Sequence, residues 1–480
     1  MITHPFLRNL GLTLGGRGIS LGANLGYLVI TARHFTKQEV AVLALSGILL
    51  VLMDALKGLG LGTILIKDLP KLPAQGDAHA ASLVLSFLAY SLLSGLVFTV
   101  AAIAAVPVLA SHVLDNPVYA TSLRLGICWA LFQVLTNSTM LVVQARQQFG
   151  QLALQTIQTS LLQKLIPALA AFSLGWNLEK FLACSAILAA LALVISFAPL
   201  LRVSLTPGAA LLNPSAFWWQ SRNFYFAGLI RHAATQLDQV IVAGLFSPAV
   251  LAVYYMIRRL YSMAVLLVSA LIDILTPDLS REAGQSEQSA RRRLTRWMKV
   301  AFLAGIGVAA FLAGNGEWLV GLLLGPGYAE DPWLATLFCL AAFGFLLFSF
   351  GQVDLLLFRE PSLCLRMAVV AAGLNSLLSP LLAAAWGVKG LPLAMASSYL
   401  VSLELFRRGG HVAAWSPLTT AAGSIAIAMA GALSWVSSLI EGTLLRTGLV
   451  NAMLAAALLI LAYGLRSRYW PSQTKPEPTE

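Results

Sequence analysis

The sequence predicts an all-α polytopic membrane protein of about fourteen transmembrane helices, with both termini cytoplasmic. Three observations carry that expectation. Of 480 residues, 58% are apolar and only 11% are charged, against about 25% charged in an ordinary soluble domain. The apolar residues form continuous runs of about 20, the length that crosses a bilayer as a helix, and they lack the alternation of barrel strands. Lysine and arginine gather on alternate connections between the runs. A soluble enzyme, a nucleic-acid-binding domain and a disordered scaffold are excluded, because a water-soluble globule of this size cannot hide so much apolar side chain. The net charge of +11 lies between runs, so no nucleic-acid partner is expected.

The first six spans are read at 9–31, 40–66, 80–106, 119–143, 151–174 and 179–201, and the next six at 223–246, 249–276, 299–324, 334–358, 363–386 and 389–408. Two more follow at 416–438 and 446–465. The break at 202–222 holds Pro207, Pro214, Trp218 and Trp219 and reads as an interfacial segment lying along the membrane. The break at 277–298 carries Arg291, Arg292 and Arg293, a topology signal beside anionic lipid. The organisation is then an N-terminal lobe (1–201), an interfacial linker (202–222), a C-terminal lobe (223–408), helices 13 and 14 (409–465) and a polar tail (466–480) expected to be disordered.

With the N-terminus inside, the inner connections and termini hold 19 lysines and arginines and the outer ones 5, so the C-terminus is inside as well. Met1–Leu10 lacks the apolar core and cleavage site of a signal peptide, so the first helix is expected to stay in the membrane. Sliding the chain by 211 residues pairs Val29 with Val240, Ile30 with Ile241, Ala32 with Ala243 and Phe35 with Phe246. An internal repeat of two six-helix halves, with a substrate site between them, is a common transporter plan.

Lysine or arginine deep in a span costs about 2.5–3.5 kcal/mol at the centre of an isolated helix on insertion scales. Arg17, Lys164, Arg231, Arg258 and Arg259 lie roughly eight to fourteen residues inside their spans. At about 100° per residue, Arg17, Ser20 and Asn24 share one face of the first helix, while Gly11, Gly15, Gly18, Gly22 and Gly26 share another suited to close packing. Thr156, Ser160 and Lys164 recur at i+4 on the fifth helix, and Arg231, Thr235 and Asp238 share a face of the seventh. Asp238 is the one deep acid and cannot neutralise five cations, so the expectation is a positive cavity that attracts an anion. Lys57 follows Asp54 by three positions, the spacing of an ion pair near a helix end, and Glu404 can pair with Arg408. His232 reads as polar packing.

Other chemistry is missing from the sequence. Cys128, Cys184, Cys339 and Cys364 lie in apolar runs without paired spacing, which argues against a disulfide framework or zinc site. There is no G-x-x-x-x-G-K-[ST] to cradle nucleotide phosphates and no H-E-x-x-H. No catalytic residue and no resident cofactor are expected.

The stretch from Gly58-Leu59-Gly60-Leu61-Gly62 to Lys67 resembles the glycine-rich end of the second helix in the polysaccharide (Wzx-type) branch of the multidrug/oligosaccharidyl-lipid/polysaccharide (MOP) exporter superfamily. Leu237-Asp238-Gln239-Val240-Ile241 through Tyr254-Tyr255 is similar to its seventh-helix signature, with Val253 where a glycine is usual. Pro277-Asp278-Leu279-Ser280 and Leu324-Gly325-Pro326-Gly327-Tyr328 also resemble family elements. The resemblance implies two lobes around a central cavity, in a flippase of the bacterial inner membrane. Its cargo would be an undecaprenyl-diphosphate-linked oligosaccharide, an O-antigen, capsule or exopolysaccharide unit, moved from the cytoplasmic to the periplasmic leaflet.

The sequence reading agrees, since arginines give a diphosphate charge-assisted, often bidentate contacts. Arg17, Asn24, Lys164, Arg231, Arg258 and Arg259 are the expected substrate contacts. Asp238 would be a coupling-ion or proton site or a partner of Arg231, with Asp54 and Lys57 as a further coupling or ion pair. The coupling ion, H+ or Na+, stays open. Partners would be the anionic glycan lipid, membrane lipid and polysaccharide polymerase or assembly proteins. The rivals are a cation-coupled multidrug exporter, which would want an acidic cavity, and a membrane polymerase or ligase, which would need reactive groups on larger outer loops.

Overall fold

The computed structural model describes residues 4–62, 65, 69, 78–146, 148–204, 208–329, 331–359 and 361–409. Spans 13 and 14 and the tail lie outside these residues. The described chain is helical throughout, and no strand occurs among the described residues.

The helices are α1 (His4–His34), α2 (Lys37–Leu56), α3 (Ala78–His112), α4 (Ala120–Ala145), α5 (149–174), α6 (Leu178–Ser204), α7 (Pro214–Leu245), α8 (Pro248–Gln285), α9 (Glu287–Leu324), α10 (Pro332–Phe358), α11 (Pro361–Trp386) and α12 (Gly390–Arg408). Their boundaries follow local chemistry. A capping box starts α2, with Thr36 Oγ1 accepting from Glu39 N and the Glu39 carboxylate accepting from Thr36 N. Gly175, at φ +62°, ends α5 in the left-handed conformation that glycine adopts without strain. Proline opens α8 and α10 at positions where its missing N–H is not needed.

Among the described residues six stretches are long and apolar enough to cross a membrane: Lys37–Leu56, Ala78–His112, Pro117–Ala145, Leu178–Ala198, Trp333–Leu355 and Ser362–Arg408. The helices α1, α5, α7 and α8 are not among them, and these carry the deep cations.

Two expected breaks are largely helical. Pro214 opens α7, so Trp218 and Trp219 fall in its first turns and not in a separate interfacial segment. Residues 210–212 instead dock on α3, where Ser82 Oγ accepts from Ala210 N at 3.0 Å, Ser86 Oγ accepts from Leu212 N at 2.8 Å, and Tyr90 Oη donates to Leu212 O at 2.7 Å. The second break is reduced to Ser286, which ends α8 and caps α9. Each of these helices has 38 residues, about 57 Å at 1.5 Å per residue, so both run beyond a hydrocarbon core of about 30 Å.

The pairs α1–α5, α2–α4, α3–α4 and α4–α6 recur as α7–α11, α8–α10, α9–α10 and α10–α12. The offset of 211 carries the end of α1, His34, onto the end of α7, Leu245, and the start of α2, Lys37, onto the start of α8, Pro248. The two sets meet through α2–α8, α2–α7 and α1–α8.

Among the described residues the core is continuous between the sets at one end only. Where α1 finishes and α2 begins, Tyr27, Leu28 and Val40–Leu45 share one buried cluster with Val242, Leu251, Ala252 and Tyr254–Ile257. At the end where α1 begins, Leu61, Val84, Phe87 and Val142 form one core, and Leu279, Leu294, Phe350 and Leu355 form another. Between them at that end, α7 lies against Lys57–Gly60.

Candidate functional site

The polar stripe of α1 meets that of α5. Ser20 Oγ and Ser160 Oγ are 2.5 Å apart, Asn24 Nδ2 donates to Ser160 Oγ at 3.3 Å, and Lys164 Nζ donates to Asn24 Oδ1 at 2.9 Å. Lys164 stands in a π turn, Leu161–Leu165, set between the α-helical pieces Phe149–Ser160 and Ile166–Leu174. Pro167 has no N–H to give back to the preceding turn, and a widened turn relieves its clash there. An i+4 step in a regular helix overshoots one turn by about 40° at 100° per residue. The wider turn takes up part of that overshoot and keeps Lys164 over Ser160.

The glycines of α1 follow the sequence expectation only in part. A Cβ added at Gly15, Gly18 or Gly22 would meet nothing within 4 Å, whereas one at Gly26 would sit 3.0 Å from Leu165 Cδ1 and one at Gly16 2.9 Å from Ala153 Cβ, both on α5. The close helix–helix approach therefore falls on Gly16 and Gly26, because the polar stripe itself bonds to α5.

A cavity of about 370 Å³ opens next to this ladder, between α1, the end of α2, α4 and α5. Arg17, Ser20, Asp54, Lys57, Asn137, Gln144 and Thr156 supply its polar wall, and Leu21, Met140, Leu141, Phe149 and Leu152 supply most of the apolar one. Lys57 Nζ donates to Asp54 Oδ1 at 2.7 Å, and Asn137 Nδ2 donates to the same oxygen at 3.3 Å. The pair expected from the i, i+3 spacing is thus formed, with α4 attached to it.

The α7–α8 contact sorts the two adjacent arginines. Asp238, fully buried, accepts from Arg258 Nε and from Tyr254 Oη, both at 2.7 Å. The Arg258 guanidinium also donates to the Thr235 carbonyl. Arg258 is therefore neutralised inside the second set, and the expectation that it belongs to an uncompensated positive cavity is corrected. The described partners of Asp238 are both on α8. The side chain of Arg231 lies outside the described residues.

Arg259 points the other way, about 100° around α8, to the junction of the two sets. Its guanidinium carbon is 5.1 Å from the centre of the Tyr255 ring, within cation–π range. A Cβ on Gly47 of α2 would lie 3.4 Å from Arg259 Nη2, so a small residue there makes room for the cation. Arg259 and Lys164 are near enough to repel each other electrostatically, and Tyr27 of α1 feels Arg259 as well. Neither Lys164 nor Arg259 has an acidic partner within ion-pair distance among the described residues. Their neighbours are the Asn24 carbonyl oxygen and tyrosine rings.

Other charges are paired at helix ends. Glu404 accepts from Arg407 and Arg408, and Arg293 and Arg291 reach Glu282 and Glu287. No group of three or more histidines, cysteines, aspartates and glutamates gathers among the described residues.

Sequence reasoning passed over the α4 amides and the three tyrosines. Gln133, Asn137 and Gln144 follow one another at i, i+4 and i+11 on one face, a helical signal hidden because the search was for charge. Tyr27, Tyr254 and Tyr255 read as core aromatics, and their hydroxyl and ring roles emerge only when α7, α8 and α1 come together.

A sequence profile of the family described as "Polysaccharide biosynthesis protein" matches residues 30–332. No curated protein sequence matches the chain. The fold is similar to that of a structure described as the lipid II flippase MurJ in an inward closed conformation, at TM-score 0.70 and 10% identity over 96% of this chain and all of that one. It is also similar to an inward-facing multidrug resistance MATE family transporter of the MOP superfamily, at TM-score 0.63 and 12% identity over 86% of this chain and 95% of that one. A third similar structure is a MOP superfamily transporter from Pyrococcus furiosus, described as having a binding pocket of reverse polarity. It aligns at TM-score 0.62 and 13% identity over 84% of this chain and 95% of that one. At these identities the likeness is one of fold, and the fold is that of multi-pass membrane transporters.

Proposed function

The chain belongs to the polysaccharide biosynthesis protein family, and from that premise we propose that it is a flippase for undecaprenyl-diphosphate-linked oligosaccharide. It moves the head group from the cytoplasmic to the periplasmic leaflet of the bacterial inner membrane by alternating access between the lobes 1–201 and 223–408. The N-terminus faces the cytoplasm, and helices 13 and 14 complete a set of fourteen. A polymerase or assembly protein receives the product.

The observation that supports this reading is the placing of Lys164, bonded to Asn24, and Arg259, over the Tyr255 ring, within electrostatic reach of each other and without an acidic partner among the described residues. Two like charges held close in a low-dielectric site are costly, and a bound multiple anion removes that cost. A diphosphate fits, with Lys164 and Arg259 as its main contacts. Arg17 and Arg231 act as further cations along its path, and Asn24 orients Lys164. Arg258 serves by shaping α8 with Asp238. A cationic drug would meet repulsion here, which disfavours the multidrug reading. Coupling by H+ or Na+ is part of the proposal.

The test is crossing of a short-chain polyprenyl diphosphate sugar in proteoliposomes, read by leaflet-specific accessibility with and without an imposed H+ or Na+ gradient. Wild type should accelerate crossing, and Lys164→Met/Arg259→Gln should abolish the acceleration at equal protein incorporation. Equal rates for the two proteins would refute the cationic site.

A further inference from the structure

The first turns of α9 carry four arginines, and the fold sorts them into two kinds. Arg291 Nε donates to Glu287 Oε1 at 2.8 Å, and its guanidinium lies 4.6 Å from the centre of the Phe358 ring. Arg293 Nη1 donates to Glu282 Oε2 at 2.9 Å. Both are spent within the protein. Arg292 and Arg296 are exposed, and neither has an acid at ion-pair distance among the described residues.

The helix itself explains the sorting. Ala290, Leu294 and Met298 are buried at successive i+4 steps, and Leu294 and Met298 join the core formed with α10. Arg292 and Arg296 stand two residues to either side of Leu294, about 160–200° around the axis at 100° per residue. They therefore share the outward face, one turn apart, with about 5–6 Å between their β-carbons.

Depth decides what that face meets. From Leu324, at the far end of α9, Arg296 and Arg292 are about 42 and 48 Å away at 1.5 Å per residue. A tilt of about 20°, usual for spanning helices, shortens these to about 39 and 45 Å. A bilayer with its headgroups is about 40–45 Å thick, so the pair stands at headgroup level on the side where α1 begins. Trp297, partly buried against the same core, is next to Arg296 in the chain, at the depth where tryptophan is enriched. Two guanidiniums one turn apart at that level complement a phosphodiester, which they grip through charge-assisted hydrogen bonds.

We propose that Arg292 and Arg296 form a binding site for the headgroup of an anionic phospholipid, separate from the Lys164–Arg259 junction. The sequence expectation set Arg291, Arg292 and Arg293 beside anionic lipid as a topology signal. The structure spends two of these on glutamates and brings in Arg296 instead. The bound lipid fastens the α8–α9 hairpin to the membrane surface.

The test follows hydrogen exchange at residues 287–298 in the full chain purified in detergent. Phosphatidylglycerol should slow exchange there severalfold, and phosphatidylethanolamine with the same acyl chains should not. Arg292→Gln/Arg296→Gln should raise the phosphatidylglycerol concentration at half protection by about tenfold or more, since each arginine near an anionic surface contributes a factor of about five. Arg292→Lys/Arg296→Lys, which keeps the charge, should keep most of the protection. Arg366→Gln, which removes an exposed arginine from α11, should leave it at the wild-type level. Equal protection by the two lipids, or the same titration in wild type and the glutamine variant, would overturn the site. Protection by neither lipid would overturn it too, and would leave the pair to an acidic protein partner. None of these measurements depends on transport, so the lipid site and the flippase reading stand or fall separately.

Discussion

Asp238 of α7 accepts hydrogen bonds at 2.7 Å from both Arg258 Nε and Tyr254 Oη of α8, so one buried carboxylate ties the first two helices of the second set together. Removing one partner of a buried ion pair leaves the other charge uncompensated, at a cost of about 3–5 kcal/mol. Arg258→Ala should therefore lower the thermal midpoint in detergent markedly. The neutral pair Asp238→Asn/Arg258→Gln should recover much of the loss. A midpoint equal to wild type in Arg258→Ala would show that the bond contributes nothing to the fold.

Its sequence neighbour behaves in the opposite way. Arg259 lies beside the Tyr255 ring and within electrostatic reach of Lys164, with no acid at ion-pair distance among the described residues, so it strains the empty site and serves the loaded one. Arg259→Gln should hold or raise the thermal midpoint while transport falls by tenfold or more, the pattern of a functional residue that costs stability. Parallel loss of stability and transport would assign Arg259 to the fold.

Arg33, in the last turn of α1, donates to the Leu322 carbonyl in the last turn of α9. Helix C-termini carry partial negative charge, and this contact joins the two sets at the end where their core is shared. Arg33→Ala should loosen that end. With Leu251→Cys as reporter in a protein whose native cysteines are replaced by serine, labelling by a membrane-impermeant thiol reagent should rise severalfold. Unchanged labelling would show that the apolar core alone sets the closure.

The tip of the α8–α9 hairpin is sensitive to acid. Hydrogen bonds from Ser289 and Arg293 hold the Glu282 carboxyl below its ordinary range. A carboxylate depressed on folding contributes stability that is present above its unfolded pKa, about 4.3, and is lost as pH falls through the lower folded value. Hydrogen exchange at residues 282–293 should therefore quicken, relative to the intrinsic rate, as pH falls below about 4. Glu282→Gln should remove that added sensitivity and exchange faster at neutral pH.

The reach of the sequence can be judged from particular residues. Spans were readable because each helix needs about 20 apolar residues whatever its neighbours. The stripes Arg17-Ser20-Asn24 and Thr156-Ser160-Lys164 were readable because helical periodicity alone places them. That these stripes face each other was not, since the partner of a helix face is a tertiary fact. Arg258 and Arg259 looked alike in sequence, yet one is spent on Asp238 and the other is not. Only their different directions around α8, set against α7 and α2, separate them. The starts of α7 and α9 were missed because polar and aromatic turns outside the hydrocarbon carry no hydropathy signal while remaining good helix.

Two fastenings in this bundle differ in what they tolerate. Where α1 and α7 finish, the sets are held by aliphatic and aromatic side chains such as Leu28, Val42, Leu251 and Ile257, and association of that kind between helices in lipid rests on close fit. Residues 210–212 are instead fastened to α3 by directional hydrogen bonds. A change of side-chain shape is therefore felt at the first, and a shift of backbone along α3 at the second.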